Sequence, residues 1–479
     1  MQILQVLSFI LNHKRTFLFL MTVTILIAAG MVFINRDNIT GDYYTYLDYV
    51  KGIRHGRYTY WWFMKDYIPD TFRNPGYPLF LYFLSFISEA VLFIRVIQLL
   101  LLIATLLVML KIIDFYDKSL VLKNGFLLLV LINFTVLTYP VYISPEILMM
   151  FLITLIIYVE LTLKEGSWTK IISLALLYGF CFQVRPVILF LPAFRFVYFL
   201  YHYRKLAFSK NLVFISIFIL TLLPYGCWNL EHHKMFKITP VEGGAGAMYL
   251  GYWSPKLIGH TEDKYWRNKM YEDRMINFVD KKEVPRNIDL FNREWDSLEG
   301  ICSRYLTSRD SANIETMKQY PHFFITHNTQ YTLEREKILT TLAIRHYLSD
   351  LPYTIRLKGF TFFRLWYTGW VQRDEIKNVN PLVSFSYFMA FIGTFFTLAV
   401  FFLYFVYCLF RRRDIIKELA LPLLWCLYFD LIHLPFVIQA RYTIPVRLLY
   451  LFSLAYMIYR IHFSDAARQA ARSIQKEPA

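Results

Sequence analysis

The sequence predicts an all-α polytopic membrane protein. Of its 479 residues, 57% are hydrophobic and 19% aromatic, whereas globular proteins hold about 45–50% apolar residues. Several windows of about 18–20 residues carry almost no charge, which is long enough to cross a hydrocarbon layer of about 30 Å. Lysine and arginine cluster in alternate connections between these windows. A soluble chain of this composition would need a core far larger than one domain builds.

Ten apolar segments are predicted to span the membrane as helices. They differ in length, and their ends are defined by charged or proline-containing connections. The segments are 16–34, 91–113, 121–139, 145–163, 168–183, 186–203, 208–227, 382–410, 418–435 and 443–461.

The basic residues predict the orientation of these helices. With a cytoplasmic N-terminus, the short outer connections carry only Arg185 and Arg441. Cytoplasmic loops are rich in lysine and arginine, so both termini are predicted inside. This bias accounts for the net charge of +16, and no nucleic-acid partner is expected. The inner connections carry Lys14, Arg15, Lys111, Lys118, Lys123, Lys164, Lys170, Arg204, Lys205, Lys210, Arg411, Arg412, Arg413 and Lys417.

Two polar stretches are then predicted to lie outside. The first is the outer loop 35–90, in which the apolar segment 79–90 follows a Pro-Gly-Tyr-Pro turn and is predicted to lie in the membrane interface. The second is the insert 228–381, whose mixed charges and apolar spacing predict a mostly helical extracytoplasmic domain. The chain therefore divides into a membrane module 1–227, this domain, and C-terminal membrane helices with a tail, 382–479.

The five cysteines do not suggest a disulfide framework, because four fall in or beside predicted spans and Cys302 is alone in the insert. Glu231, His232 and His233 are adjacent, and neighbouring side chains on a regular element point in different directions. A metal site is therefore not predicted there.

Asp42, soon after the first span, is the candidate general base. A carboxylate at a membrane surface can take the proton of an acceptor hydroxyl. The alternative is a solvated or helix-capping aspartate, because Thr40-Gly41-Asp42 can begin an amphipathic helix. Asp66 is a second acid in the same loop.

Five arginines are candidate phosphate ligands, because the guanidinium fork gives two charge-assisted hydrogen bonds. An ionisable residue at the edge of apolar sequence is a functional candidate, although snorkelling to lipid headgroups is an alternative for any single arginine. The five are Arg54, Arg57 and Arg73 in the first outer loop, and Arg185 and Arg441 at outer span ends.

Two further features have competing interpretations. Glu146 follows Pro145 at the outer start of a span, where it is either a substrate ligand or a carboxylate favoured by the helix dipole. The Gly243-Gly244-Ala245-Gly246 stretch is either an anion-binding run of backbone N–H groups or a plain turn.

Motifs spread over most of the chain resemble a known family. They occur in the order GDYYTYLDYVKGIRHGRY, RNPGYPLFLYFLSFI, SPEILMMFLITLIIY, QVRPVILFLP, LPYGCWNLEHHKMFKITPVEGGAGAMYLGYW and QARYTIPV. Together, from Asp42 to about Pro445, they resemble the bacterial GT-C fold glycosyltransferases of the family-39-like group. This group is related to protein mannosyltransferases and to the aminoarabinose transferases of lipid A.

The resemblance implies an integral membrane glycosyltransferase of the bacterial cytoplasmic membrane, with its active site on the periplasmic or extracellular face. It implies a polyprenyl-phosphate-linked sugar donor and transfer to a glycan, lipid or protein acceptor, with inversion. Asp42 matches the family's acid in the first outer loop. By position, Arg57, Arg73, Arg185 and Arg441 match the family's phosphate-binding basic residues. The full set of predicted substrate-binding residues is Arg54, Arg57, Asp66, Arg73, Tyr77, Glu146, Arg185 and Arg441.

One departure from the family concerns metal. Many relatives carry an Asp-Glu pair in the first loop, whereas Tyr43 follows Asp42 here. No metal ligands are therefore assigned, and a divalent cation remains an open requirement.

Two other functions compete with this interpretation. A transporter or flippase of lipid-linked glycans would show internal symmetry and charged or Gly/Pro-broken segments at mid-membrane, whereas the charges here lie at outer span ends. A polymerase or ligase of surface polysaccharide would share the lipid-linked donor on a different fold.

The charge asymmetry makes the topology testable. A reporter fused after Arg412 should report the cytoplasm, and one inserted near Ser308 should report the outside, as measured by paired phosphatase and fluorescence reporters. The opposite result at either position would contradict the placement of the first loop and the insert on the outer side.

Overall fold

The computed structural model describes residues 2–36, 43–162, 167–195, 208–257, 281–317, 328–366, 381–436 and 440–464. Within these ranges all regular structure is helical and no strand occurs, which confirms the predicted all-α class. The N-terminal helices are α1 (Gln2–Leu11), α2 (Lys14–Ile34), α3 (Tyr43–Arg54), α4 (Gly76–Ser85), α5 (Val91–Tyr116), α6 (Leu120–Ile132), α7 (Thr135–Thr138), α8 (Glu146–Leu161), α9 (Trp168–Val184) and α10 (Pro186–Arg195).

The second half of the chain continues with helices of two kinds, mixed polar helices in the insert and apolar helices after it. They are α11 (Phe208–His233), α12 (Ala245–Leu257), α13 (Val284–Cys302), α14 (Ser308–Met317), α15 (Thr329–Ser349), α16 (Leu351–Arg364), α17 (Pro381–Arg411), α18 (Arg413–Glu418), α19 (Ala420–His433) and α20 (Arg447–His462).

Five helices in the described residues are long and apolar enough to cross a membrane. They are Lys14–Ile34, Val91–Tyr116, Phe208–His233, Ser384–Arg411 and Arg441–His462. These match five predicted spans and make the chain a multi-pass membrane protein.

The other predicted spans are shorter or bent. The pair Leu120–Ile132 and Thr135–Val141, predicted as one span 121–139, is bent by 63°. Helix α8 has 16 residues, α9 has 17 and α19 has 14. At about 1.5 Å per residue these three fall short of about 30 Å, and the predicted span 186–203 is described only as far as Arg195. The count of ten spans stays a prediction.

The ends of several apolar helices on the side of the first loop are held together by one buried guanidinium. Arg95, near the start of α5, is 2% exposed. It donates to the carbonyl oxygens of Asn35 at 2.6 Å, Arg36 at 2.8 Å and Val141 at 2.8 Å. The end of α2, the start of α5 and the end of the segment Thr135–Val141 therefore meet on the side of the first loop.

Gly76, Tyr77 and Pro78 form the first turn of α4, with Pro75 at its N-cap, instead of a turn that precedes the helix. Proline fits there because the first helical N–H groups have no intrahelical acceptor. A Cβ atom on Gly76 would lie 2.4 Å from the carbonyl carbon of Gln183 and 2.5 Å from the amide nitrogen of Val184. Only glycine lets α4 approach the end of α9 this closely. The outward side chains Leu79 and Phe83 are 37% and 64% exposed, which suits an interfacial helix.

The insert has its own buried cluster, formed by α12, α13 and α15. Its largest members are Tyr249, Trp253, Phe291, Trp295 and Tyr331. Helix α11 runs to His233, so it continues through the predicted boundary at 227/228. All five cysteines are free.

Candidate functional site

The first half of the candidate site is a tight turn built around Asp70, in the loop between α3 and α4. Asp70 is 2% exposed. One carboxylate oxygen accepts the Tyr49 hydroxyl at 2.5 Å, and the other accepts the backbone N–H groups of Phe72 at 3.0 Å and Arg73 at 2.8 Å. An aspartate that binds N–H groups two and three residues later fixes a turn, so Asp70 sets the direction of Arg73.

Burial raises the pKa of Asp70 from 3.8 to about 6, against the lowering effect of the bonds from Arg73, Tyr49 and Phe72. Desolvation disfavours the charged carboxylate, while hydrogen bonds and the Arg73 charge favour it. Asp70 was not predicted from the sequence; Asp66 was chosen instead. The sequence feature that could have identified Asp70 is its position three residues before Arg73, which is the spacing of such a turn.

Arg73, a predicted phosphate ligand, is held on aromatic side chains. Its guanidinium carbon lies 4.7 Å from the ring centroid of Tyr46 and 4.5 Å from that of Phe72, and its Nη1 donates to the Tyr46 hydroxyl at 3.0 Å. The hydroxyl groups of Tyr58 and Tyr225 both donate to the Arg73 carbonyl. Cation–π contacts of this kind orient a guanidinium without neutralising it.

Tyr46 and Tyr77 connect this turn to the second half of the site. Their rings meet edge to face at 4.8 Å, and the buried Tyr77 hydroxyl donates to Gln98 at 3.2 Å. The pKa of Tyr77 is raised well above its ordinary value, chiefly by burial and further by the nearby Tyr46 and Glu146. Predicted residue Tyr77 therefore lies between Arg73 and Glu146.

The second half consists of three predicted residues that the fold brings together. Glu146 begins α8 and its side chain is fully buried. Arg185, which directly follows α9, donates to one Glu146 oxygen at 2.6 Å, and Arg441 approaches the same oxygen at 4.0 Å. Two cations around one carboxylate leave a net positive charge, which is the polarity a phosphate group needs.

The insert packs against the turn of the first loop. The backbone N–H of Glu242 donates to the Thr71 carbonyl at 2.8 Å, and the Arg335 guanidinium lies 3.1 Å from the Glu242 carboxylate. His233 bridges the Asp70 carbonyl at 2.8 Å and the Thr329 hydroxyl at 2.7 Å. Burial raises the pKa of Glu242 to about 6, against the lowering effect of Arg335.

The glycine-rich stretch binds an anion that belongs to the chain itself. The backbone N–H groups of Gly243 and Ala245 donate to Oε2 of Glu336, at 2.6 Å and 3.1 Å. Glu336 lies on α15, far away in sequence, so a carboxylate of the chain itself binds these N–H groups. Binding of a substrate anion by this stretch stays a prediction.

Other predicted residues lie apart from these two halves. Arg54 pairs with Glu89 and donates to the Ser85 carbonyl, and Arg57 donates weakly to the Met64 carbonyl and faces the Tyr67 ring. Asp66 is partly buried. Asp42, the predicted base, lies outside the described residues.

No site for a metal ion is evident in the parts of the chain that the structure describes, where no three His, Cys, Asp or Glu side chains come together. Of the three adjacent residues weighed for metal, His232 packs against Trp228 and Tyr67, and His233 holds Asp70 as described above.

Comparisons with known proteins return little. No family model and no curated protein matches the chain. A search of solved structures finds ArnT from Cupriavidus metallidurans bound to undecaprenyl phosphate. The match covers 96% of this chain and 80% of that one, with 11% identity and a TM-score of 0.35.

The buried Asp70 gives the protein a predictable pH dependence. The folded state holds the Asp70 proton more tightly than the unfolded chain, in which the pKa is near 3.8. The stability that this group contributes is therefore full below about pH 4 and is lost as the pH rises through about 6. The change amounts to roughly 3 kcal/mol at most. Glu242 adds a change of the same sign.

Thermal unfolding in detergent between about pH 4 and 8 tests this. Asp70→Asn should show a smaller fall in Tm with rising pH than the wild type. Tyr49→Phe keeps the Asp70 carboxyl group but removes a hydrogen bond that favours the charged carboxylate. The Tm of this variant should therefore fall with rising pH at least as much as the wild-type Tm. An Asp70→Asn variant as pH-dependent as the wild type would contradict the assignment.

Proposed function

We propose that the protein is an integral membrane glycosyltransferase that moves a sugar from a polyprenyl-phosphate donor to an acceptor hydroxyl. Transfer takes place on the extracytoplasmic face of the bacterial cytoplasmic membrane and inverts the anomeric carbon. The membrane helices and the motif order support this class. The sugar and the acceptor, whether glycan, lipid or protein, are not assigned by any residue.

The observation that carries the proposal is the gathering of cationic and aromatic groups where apolar helices end. Arg185 and Arg441 meet at Glu146, and Tyr77 and Tyr46 connect that cluster to Arg73. An amphiphilic lipid phosphate fits such a position, with its chain among apolar helices and its phosphate among guanidinium groups. A soluble nucleotide-sugar donor would gain nothing from this placement.

In the proposed reaction the acceptor oxygen attacks the anomeric carbon while the bond from that carbon to the phosphate oxygen breaks. Asp42 takes the proton of the acceptor hydroxyl. The lipid phosphate leaves with one more negative charge than it had in the donor. Arg73, Arg185 and Arg441 stabilise this developing charge, and because packing already fixes Arg73 and Arg185, they need little reorganisation to do so.

The two alternative functions would require different arrangements of charged residues or different acceptors. A transporter or flippase would need charged groups along a path through the membrane, whereas the cluster described here lies at one end of the helices. A polymerase or ligase of surface polysaccharide would use the same phosphate ligands, and is distinguished by the acceptor that it requires. The proposal keeps Arg54, Arg57 and Asp66 as substrate contacts at the edge of the first loop.

The catalytic role of Asp42 gives the sharpest prediction. Asn is nearly isosteric with Asp but cannot take a proton at neutral pH. Asp42→Asn should keep expression, Tm and donor binding near the wild type, while turnover falls by about 10²–10⁴-fold. The assay is sugar transfer from a synthetic polyprenyl-phosphate sugar in detergent or proteoliposomes.

Asp66→Asn is the matched comparison, because it changes another acid of the same loop. If Asp42→Asn retains most of its turnover while Asp66→Asn loses it, the base is Asp66. If both variants retain turnover, neither Asp42 nor Asp66 is the base.

The phosphate ligands are tested with lysine, which keeps the charge but lacks the guanidinium fork. Arg185→Lys and Arg441→Lys should raise the KM for the lipid donor by roughly tenfold, the effect of about one charge-assisted hydrogen bond. Tm should change little. Arg412→Lys is the control, since Arg412 lies at an exposed turn beside Asp414. Unchanged KM in both test variants would show that the two arginines serve the structure alone.

A further inference from the structure

His433 lies beside the Glu146 cluster but was not among the predicted site residues. It is the last residue of α19 and is buried. Its ring stacks on Tyr442 with 4.5 Å between centroids and 16° between planes. The guanidinium carbon of Arg185 lies 5.9 Å from the centroid of the same Tyr442 ring. His433 and Arg185 therefore share one aromatic neighbour, Tyr442. Arg441 directly precedes Tyr442 in the chain, and Arg185 is the residue that binds Glu146.

The hydrogen bonding of His433 selects its tautomer. Its Nδ1 lies 2.7 Å from the Phe429 carbonyl oxygen, one turn earlier in α19. A carbonyl only accepts, so Nδ1 carries the hydrogen and, in the neutral ring, Nε2 carries the lone pair. Nε2 makes no hydrogen bond to any of the residues that the structure describes. The ring is thus held in place through Nδ1, and Nε2 is the atom that can accept a proton.

Burial of the ring, and then the charges around it, determine when His433 can take a proton. Arg185 and Arg441 supply two positive charges and Glu146 one negative charge. A third cation is unfavourable there until an anion arrives.

Two further charged groups lie near the same helix end. Asp430, one turn earlier in α19, accepts the Trp366 indole N–H at 2.7 Å. Lys358 lies 3.4 Å from the Pro435 carbonyl and 2.9 Å from the Tyr347 hydroxyl, just beyond the end of α19. Neither group contacts His433 in the described residues.

We propose that His433 is a proton-binding ligand of the lipid phosphate, neutral beside a phosphodiester and protonated beside a phosphate monoester. This inference rests on the proposed lipid-phosphate donor. The donor phosphodiester carries one negative charge, which the net positive charge of the Glu146 cluster balances. Once the bond to the sugar breaks, the phosphate monoester carries a second charge, and an imidazolium at His433 balances it. The proton comes from water and is released when the monoester leaves.

The direct test is to count protons when the two kinds of lipid bind the wild-type protein. Isothermal titration in two buffers of different ionisation enthalpy gives this count. Undecaprenyl phosphate and its methyl ester share the same chain and differ in charge. At about pH 8 the free monoester is already a dianion, because its second pKa is about 6. We expect uptake of close to one proton with undecaprenyl phosphate and of almost none with the methyl ester.

Two variants assign the proton to His433. Asn places its amide near Nδ1 and can keep the bond to Phe429, and Gln reaches towards Nε2; neither can ionise in this pH range. His433→Asn and His433→Gln should abolish the uptake and weaken undecaprenyl phosphate binding by roughly tenfold, the effect of a charged hydrogen bond. Binding of the methyl ester should stay within about twofold. Tyr442→Phe preserves the stacked ring and should retain the wild-type uptake.

The outcomes separate this inference from the proposed function. If the wild type binds both phospholipids no better than undecaprenol, the lipid-phosphate function fails, and the inference fails with it. If both bind better than undecaprenol but the wild type takes up equal numbers of protons with each, only the role of His433 is wrong. If His433→Asn and His433→Gln both take up as many protons as the wild type, the role of His433 is also wrong. If the variants do not fold, the wild-type comparison of the two lipids still decides.

Discussion

The arrangement of the candidate site depends on the way Arg95 satisfies backbone carbonyl groups where helices leave the membrane. A carbonyl at a helix end has no intrahelical donor, and at the apolar boundary few water molecules replace it. One guanidinium serves three such groups, from Asn35, Arg36 and Val141. One helical turn later Gln98 serves the carbonyls of Pro140 and Tyr142 and accepts the Tyr77 hydroxyl. The same polar bonds that close the helix ends thus fix Tyr77 beside Glu146.

Buried charge is the second constraint. Removing a carboxylate from water is costly unless cations and hydrogen bonds compensate it. Glu146 is compensated by Arg185 and approached by Arg441, and Asp70 by Tyr49 and two backbone N–H groups. An ion pair of this kind adds little stability compared with apolar packing. Its position at the ends of apolar helices, with excess positive charge, fits the negatively charged lipid donor that we propose.

Tyrosine and tryptophan are suited to the boundary between these two environments. Each side chain has a large apolar body and one polar atom. Around Asp70, Tyr46 and Tyr49 on α3 and Tyr58 in the following loop pack in the core. Their hydroxyl groups bond to the Arg73 guanidinium, the Asp70 carboxylate and the Arg73 carbonyl respectively. The aromatic side chains of this chain thus give an irregular loop both a core and hydrogen-bond partners for its polar groups.

Hydropathy and charge distribution in the sequence determined the helical membrane class, because these depend on local composition alone. They also identified Glu146, Arg185 and Arg441 as candidates, since each is an ionisable residue at the end of an apolar segment. Only the tertiary structure brought these three together, because they lie on three separate segments and their meeting depends on how the helices pack. It also decided that Asp70 is buried, among the described residues of the first loop. A sequence does not show which of several aspartates has backbone N–H groups and a tyrosine hydroxyl within reach, because that depends on how the loop folds against α3, α11 and the insert.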